Sequence, residues 1–150
     1  MLHGLDPLLT ADLLHALRAM GHGDTIAIVD ANFPATSHAR RLIVTPGTDA
    51  SAMLRAILSV LPVDDFIAQP LLTMQVVGAA DTVPPAVTEL TEIATAAGIA
   101  GSAIGTKERQ DFYRATSAAF AVVQTGDRRL YANVIVTKGV IRADTEAAAL

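Results

Sequence analysis

Apolar residues near the start of the chain recur with helical spacing. Leu13, Leu14, Leu17 and Met20 share one face, Thr10 stands at a capping position, and Gly21 falls where a left-handed C-terminal residue is needed. A helix of about three turns is expected here. The period then changes. Thr25-Ile26-Ala27-Ile28-Val29 is short, β-branched and unbroken by polar residues, as a strand buried on both faces would be, and it stops at Asp30. Asn32-Phe33-Pro34 forbids simple continuation, because proline removes a ladder donor and restrains the residue before it. Leu42-Ile43-Val44 reads as a second strand closed by Pro46-Gly47. Asp49 can then cap a helix carrying Met53, Leu54, Ile57, Leu58 and Leu61, which Pro62 ends. Residues 71–77 read as a strand, and Pro84-Pro85 opens a helix to about Ala97, stopped by Gly98. Thr106 can cap a further helix with Phe112, Ala115 and Ala119 on one side. Ala121-Val122-Val123 and residues 130–136 flank the turn Thr125-Gly126-Asp127-Arg128, which predicts a C-terminal hairpin.

Helices alternating with short buried strands imply an α/β layered domain, and the hairpin implies a mixed sheet. No repeat or low-complexity linker divides the chain, and 150 residues suffice to bury roughly 70% of the unfolded surface in one core. The domain is expected over 1–142. Residues 143–150 carry no strand pattern and read as a frayed helix or a flexible tail.

Composition narrows the chemistry. The chain has no cysteine, so disulfides and thiolate catalysis are excluded and a metal would depend on His, Asp and Glu. The four histidines are dispersed without i,i+4 spacing, so no metal site is expected. A net charge of −4 argues against nucleic acid, and the basic pairs Arg40-Arg41 and Arg128-Arg129 read as solvated turn residues. No stretch approaches the ~18 apolar residues of a membrane span, and Met1-Leu2-His3-Gly4 lacks a signal-peptide start, so a soluble cytoplasmic protein is expected. Only 17% of the residues are charged, which suggests apolar surface buried in a homo-oligomer.

His22 lies between two glycines in a helix-to-strand turn, where its imidazole is free of a helix face and the backbone can approach a ligand. Its pKa near ~6.5 suits proton transfer at neutral pH, and Asp24 or Asp30 could orient it. The turn reads equally as a helix cap with Asp24 bonding local backbone. Asp30 stands at the carboxyl end of a buried strand, where open α/β sheets place ligand-binding groups, or it caps its own loop, which also carries Phe33. On an extended strand Tyr131 and Asn133 share a polar face that suits sugar hydroxyls, or they form a buried hydrogen-bonded pair. Arg109, near a helix start where the dipole disfavours a cation, is either held for a ligand or solvated. His15 falls on the polar side of the first helix, and His3 and His38 have weaker claims.

Met20-Gly21-His22-Gly23-Asp24, Asp30-Ala31-Asn32-Phe33-Pro34-Ala35, Arg109 with Phe112-Tyr113, Thr125-Gly126, Tyr131-Ala132-Asn133 and Lys138-Gly139-Val140 occur in this order. Together they resemble the L-fucose mutarotase branch of the family that also contains D-ribose pyranase, from about Leu5 to Val140. The Asn-Phe-Pro-Ala segment and Arg109 favour the fucose branch. Ala132, where glycine is frequent, and Asn32, where histidine is often found, depart from the pattern.

The resemblance implies a three-layer α/β/α domain assembled into rings, often decamers, with the pocket completed across a subunit boundary and no cofactor. It implies His22 as catalytic acid/base, Asp30 and Arg109 as sugar ligands, and Tyr131 and Asn133 as pocket lining, with Asp24 and Phe33 in support. The implied reaction interconverts the α and β anomers of L-fucose or a related free monosaccharide. The alternatives are pyranose/furanose interconversion of ribose and a non-catalytic sugar-binding regulatory subunit.

Overall fold

A computed structural model describes residues 1–143. Helix α1 (Ala11–Ala19) begins where the Thr10 hydroxyl accepts the Leu13 N–H, and its buried face carries Leu13, Ala16 and Leu17. The left-handed residue of the following turn is Gly23 (φ +85°), not Gly21, because the helix ends at Met20 and the chain needs three more residues to reverse. Strand β1 (Thr25–Val29) follows, then the one-turn helix α2 (Ala35–His38) inside the loop after Asp30. Strand β2 (Leu42–Thr45) leads to α3 (Ala50–Leu58), whose N-terminus is capped by Asp49 through the Ala52 N–H. Strand β3 (Leu71–Met74) is shorter than residues 71–77, since Gln75 onward turns away as a loop. Helix α4 (Pro85–Ala96) starts at its proline and ends before Gly98, whose φ is +92°.

Strand β4 (Ile104–Lys107) has no counterpart in the sequence reading, because Ile104-Gly105-Thr106-Lys107 offers a single large apolar side chain. Thr106 therefore lies in a strand, and α5 (Arg109–Ala118) is capped by Glu108, which accepts the Gln110 N–H. Strands β5 (Ala121–Thr125) and β6 (Val134–Thr137) complete the set.

The sheet order is β2-β5-β1-β6-β3-β4, with β6 antiparallel to β1 and β3 and all other pairs parallel. The expected C-terminal hairpin is thus not formed. Strand β1 inserts between β5 and β6, pairing Ile26 with Ala121 on one side and with Val136 on the other. Nor are Tyr131 and Asn133 on a strand: Tyr131 is left-handed (φ +64°) and β6 begins at Val134.

Side chains alternate across the sheet as the pleat requires. Ile26, Ile28, Val123, Val134 and Val136 pack with α1, α3 and α4, whereas Ala27, Val29, Val122 and Ile135 pack with Phe33, Ala35 and Phe112 of α2 and α5 and the loop before them. The result is a three-layer α/β/α domain built around a mixed sheet. The second arginine of each basic pair is not merely solvated. Arg41 lies over the Phe120 ring and donates to its carbonyl, and Arg129 is bonded to Asp127, Glu89 and Ser51. No described helix is long and apolar enough to cross a membrane. Of the expected tail, all but Ala143 lies outside the described residues.

Candidate active site

The topology gathers polar groups at one end of the sheet. Asp30 follows the carboxyl end of β1, Met74 ends β3, and Arg109 starts the helix after β4. Asn133 precedes β6, whose antiparallel direction brings its amino end to the same edge. Asp30, Asn32, Phe33, Met74, Arg109, Tyr113, Leu130, Tyr131 and Asn133 line one cleft of about 170 Å³, smaller than the ~300–1,000 Å³ of drug-sized sites and suited to one small molecule. A larger groove of about 650 Å³ runs between α3 and α4, but it is a shallow surface feature without a converging set of buried polar groups.

Asp30 and Asn133 are buried and bonded reciprocally. The Asn133 amide donates to Asp30 Oδ2 at 2.8 Å, and its carbonyl oxygen accepts the Asp30 N–H at 2.9 Å. Asp30 Oδ1 accepts the Asn32 N–H. Burial pushes the Asp30 carboxyl above the ordinary carboxylate value, while the bonds from Asn133 and Asn32 pull it back down. The buried hydrogen-bonded pair and the cleft wall therefore share these two residues. The Tyr131 hydroxyl oxygen accepts the Val77 N–H at 3.2 Å, which leaves its own proton available to a bound ligand. Arg109 forms no ion pair among the described residues and presents an uncommitted cation to the cleft. Phe33 and Tyr113, edge-on at 5.0 Å between centroids, form the apolar wall.

His22 is absent from this cleft. It lies before the amino end of β1, whereas Asp30 lies beyond the carboxyl end, and β1 alone spans roughly 13 Å. Neither expected carboxylate orients it. Asp24 Oδ2 accepts the Gly21 N–H at 2.7 Å and closes the turn. The partner is Asp64, from the loop before β3: its Oδ1 lies 3.0 Å from His22 Nε2 and also accepts the Phe66 N–H. The imidazole is 45% exposed and the carboxylate only 2%. A buried acceptor on Nε2 selects the tautomer protonated there and leaves Nδ1 as the base. Asp64 is missed by sequence reasoning because 42 residues separate the pair, and Pro62-Val63-Asp64-Asp65 shows only an ordinary acidic loop.

The sequence matches the profile of the RbsD / FucU transport protein family over residues 3–141. It is 38% identical over 146 residues to the fucose mutarotase of Homo sapiens, covering 93% of this chain and 94% of that protein. It is also 38% identical over 141 residues to the L-fucose mutarotase of Haemophilus influenzae, covering 93% and 97%. Among solved structures, the fucose mutarotase of Streptococcus pneumoniae in complex with L-fucose superposes with a TM-score of 0.89 at 35% identity, covering 94% of this chain and all of that one. The three-layer mixed-sheet fold and the length of these matches lead to one conclusion: the chain belongs to the RbsD / FucU family.

Proposed function

We propose that the protein is a mutarotase, an isomerase of the racemase/epimerase class, that interconverts the α and β anomers of L-fucose or a closely related free monosaccharide. The observation that carries this reading is the meeting of Asp30, Asn133, Tyr131 and Arg109 in one small cleft, in a chain 38% identical to proteins named fucose mutarotases. Carboxylate, amide, phenol and guanidinium groups together offer the donors and acceptors that sugar hydroxyls need, and Phe33, Tyr113 and Met74 offer an apolar surface to the sugar's C–H face.

Anomer exchange needs two proton movements. A base takes the proton of the anomeric hydroxyl while an acid protonates the ring oxygen, and the C1–O5 bond breaks to give the open aldehyde. Rotation about C1–C2 and closure by the reverse transfers deliver the other anomer, with no change of oxidation state. His22, backed by Asp64, carries one proton, and the Tyr131 hydroxyl, with Arg109 beside the developing alkoxide, serves the other. Positioned acid/base groups contribute on the order of 10²- to 10⁴-fold.

One copy cannot bring His22 and Asp30 to the same sugar, because they lie beyond opposite ends of β1. The reading therefore requires a second copy whose His22–Asp64 end closes the cleft. Exposed apolar residues flank both surfaces, Phe66 (64%) and Ile67 (47%) beside His22, and Val77 (51%) and Leu130 (67%) beside the cleft. A head-to-tail contact of this kind closes into rings, and a decamer of stacked rings in the cytoplasm is the assembly we propose.

Saturation-transfer NMR tests the reading. Wild-type protein should accelerate exchange between the α and β signals of L-fucose, and His22→Ala should lower that rate by at least about 100-fold. Exchange only between the ring-size signals of D-ribose would select the pyranase chemistry. Sugar binding without exchange would select a non-catalytic binding subunit.

A further inference from the structure

The dyad joins two segments distant in sequence, and a short strip of chain runs between them. On one side, the Lys138 N–H donates to the Asp24 carbonyl at 2.8 Å and the Lys138 carbonyl accepts the Gly23 N–H at 2.9 Å. On the other, the Thr137 carbonyl accepts the Asp64 N–H at 3.0 Å, the Gly139 N–H donates to the Pro62 carbonyl at 2.8 Å, and Val63 bridges Lys138. The strip is tight: a Cβ on Gly139 would stand 2.5 Å from the Val63 carbonyl oxygen.

The Lys138 side chain adds a third attachment. It turns back under α1, where Nζ donates to the carbonyls of Leu17 at 2.7 Å and Met20 at 2.6 Å. These acceptors lie at the carboxyl end of the helix, where open carbonyls and the dipole favour a cation. No carboxylate pairs with Lys138 among the described residues. One residue thus pins the chain two positions before His22 through Nζ, and one and two positions after it through its own backbone. The same strip fixes Asp64.

We propose that Lys138 is a positioning residue that holds the His22 imidazole at its bonding distance from Asp64. The proposal rests on the reading of His22 as the proton carrier. Displacing an acid/base group by about 1 Å can cost about 100-fold in rate without any loss of substrate contacts. Helix capping alone would affect folding and leave turnover per folded molecule intact.

Lys138→Met retains the stem and the backbone bonds but removes the three ammonium donors. The expected result is a fall in kcat for L-fucose anomer exchange of about 10- to 100-fold, with KM unchanged because Lys138 bonds to none of the residues that line the cleft. Nitrogen-15 NMR of the imidazole should show the Nε2–H tautomer of the wild type giving way to an averaged pair. Lys138→Arg, which still donates to carbonyls, should recover most of both signals. If Lys138→Met does not fold, Lys138→Gln, with two amide N–H donors on a shorter stem, should show the same split in milder form. Wild-type kcat per folded molecule together with wild-type imidazole shifts, in whichever variant folds, would overturn the proposal. Should His22→Ala remain fully active, the catalytic reading falls, and the nitrogen shifts still decide whether Lys138 holds the ring.

Discussion

Asn133 is fully buried, and its amide serves two purposes with one side chain. It satisfies the Asp30 carboxylate and N–H, and it forms part of the cleft wall. Replacing it with alanine leaves a buried carboxylate oxygen and a buried N–H short of partners, a cost of about 1–3 kcal/mol. The pH dependence has a definite sign. The Asp30 carboxyl in the folded protein is raised by burial, so its charged form is less favoured there than in the unfolded chain. Its contribution to stability is therefore fully present below the unfolded value of about 3.9 and lost as pH rises through the folded value. Removing the Asn133 donor raises the folded value further. Urea unfolding of Asn133→Ala should accordingly show a larger loss at pH 7 than at pH 3, and an equal loss at both would refute this account. The residue types Asp30 and Asn133 were legible as site candidates in the sequence. That they bond each other was not, because 103 residues separate them.

At the scale of elements, the connection from β5 to β6 is organised by one ion-paired arginine. Arg129 donates through Nε and Nη2 to Asp127 and through Nη1 and Nη2 to Glu89 and Ser51, tying this connection to α4 and α3. Asp127 also accepts the Ala50 N–H at the start of α3, and its carbonyl accepts the Ala31 N–H beside Asp30. The cluster thus fixes the approach to Tyr131 and the loop after Asp30. Burial alone would raise the Asp127 carboxyl, but Arg129 and the backbone N–H groups of Arg129 and Ala50 together hold it below the ordinary range.

A lowered carboxylate stabilises above its unfolded value of about 3.9, and that stability is lost as pH falls through the folded value. Arg129→Met should therefore cost about 1–2 kcal/mol at pH 7, discounted for an arginine that is 40% exposed, and less at pH 3. The two urea midpoints check this. Elements carried by local signals were readable: the Thr10 and Asp49 caps, the β1 run and the proline start of α4. The C-terminal hairpin was misread because alternation and a glycine turn describe two strands and a turn, not which strand lies between them.

For the whole molecule, the separation of His22 from Asp30 becomes a prediction about assembly. His22→Ala keeps an intact cleft, and Arg109→Ala keeps an intact dyad, so each alone should be inactive. If the two are coexpressed in equal amounts, the proposed head-to-tail assembly pairs a good dyad with a good cleft at about one contact in four. Anomer exchange should return to about a quarter of the wild-type rate per site. Recovery no greater than the sum of the separate variants would mean that dyad and cleft act within one chain.

The sequence by itself determined the α/β class, the buried first strand with Asp30 at its end, the glycine-flanked His22 and most of the polar types in the cleft. Period, caps and turn residues are local, and a single segment carries them. Only the tertiary structure decided that β1 inserts between β5 and β6, that Tyr131 is a left-handed loop residue, and that Asp64 and not Asp24 or Asp30 faces His22. It also decided that the imidazole and the cleft face opposite ends of one strand. Each of these depends on which distant groups, backbone or side-chain, meet in the folded chain. Backbone donors and acceptors are the same at every residue except proline, so composition and spacing cannot assign their partners.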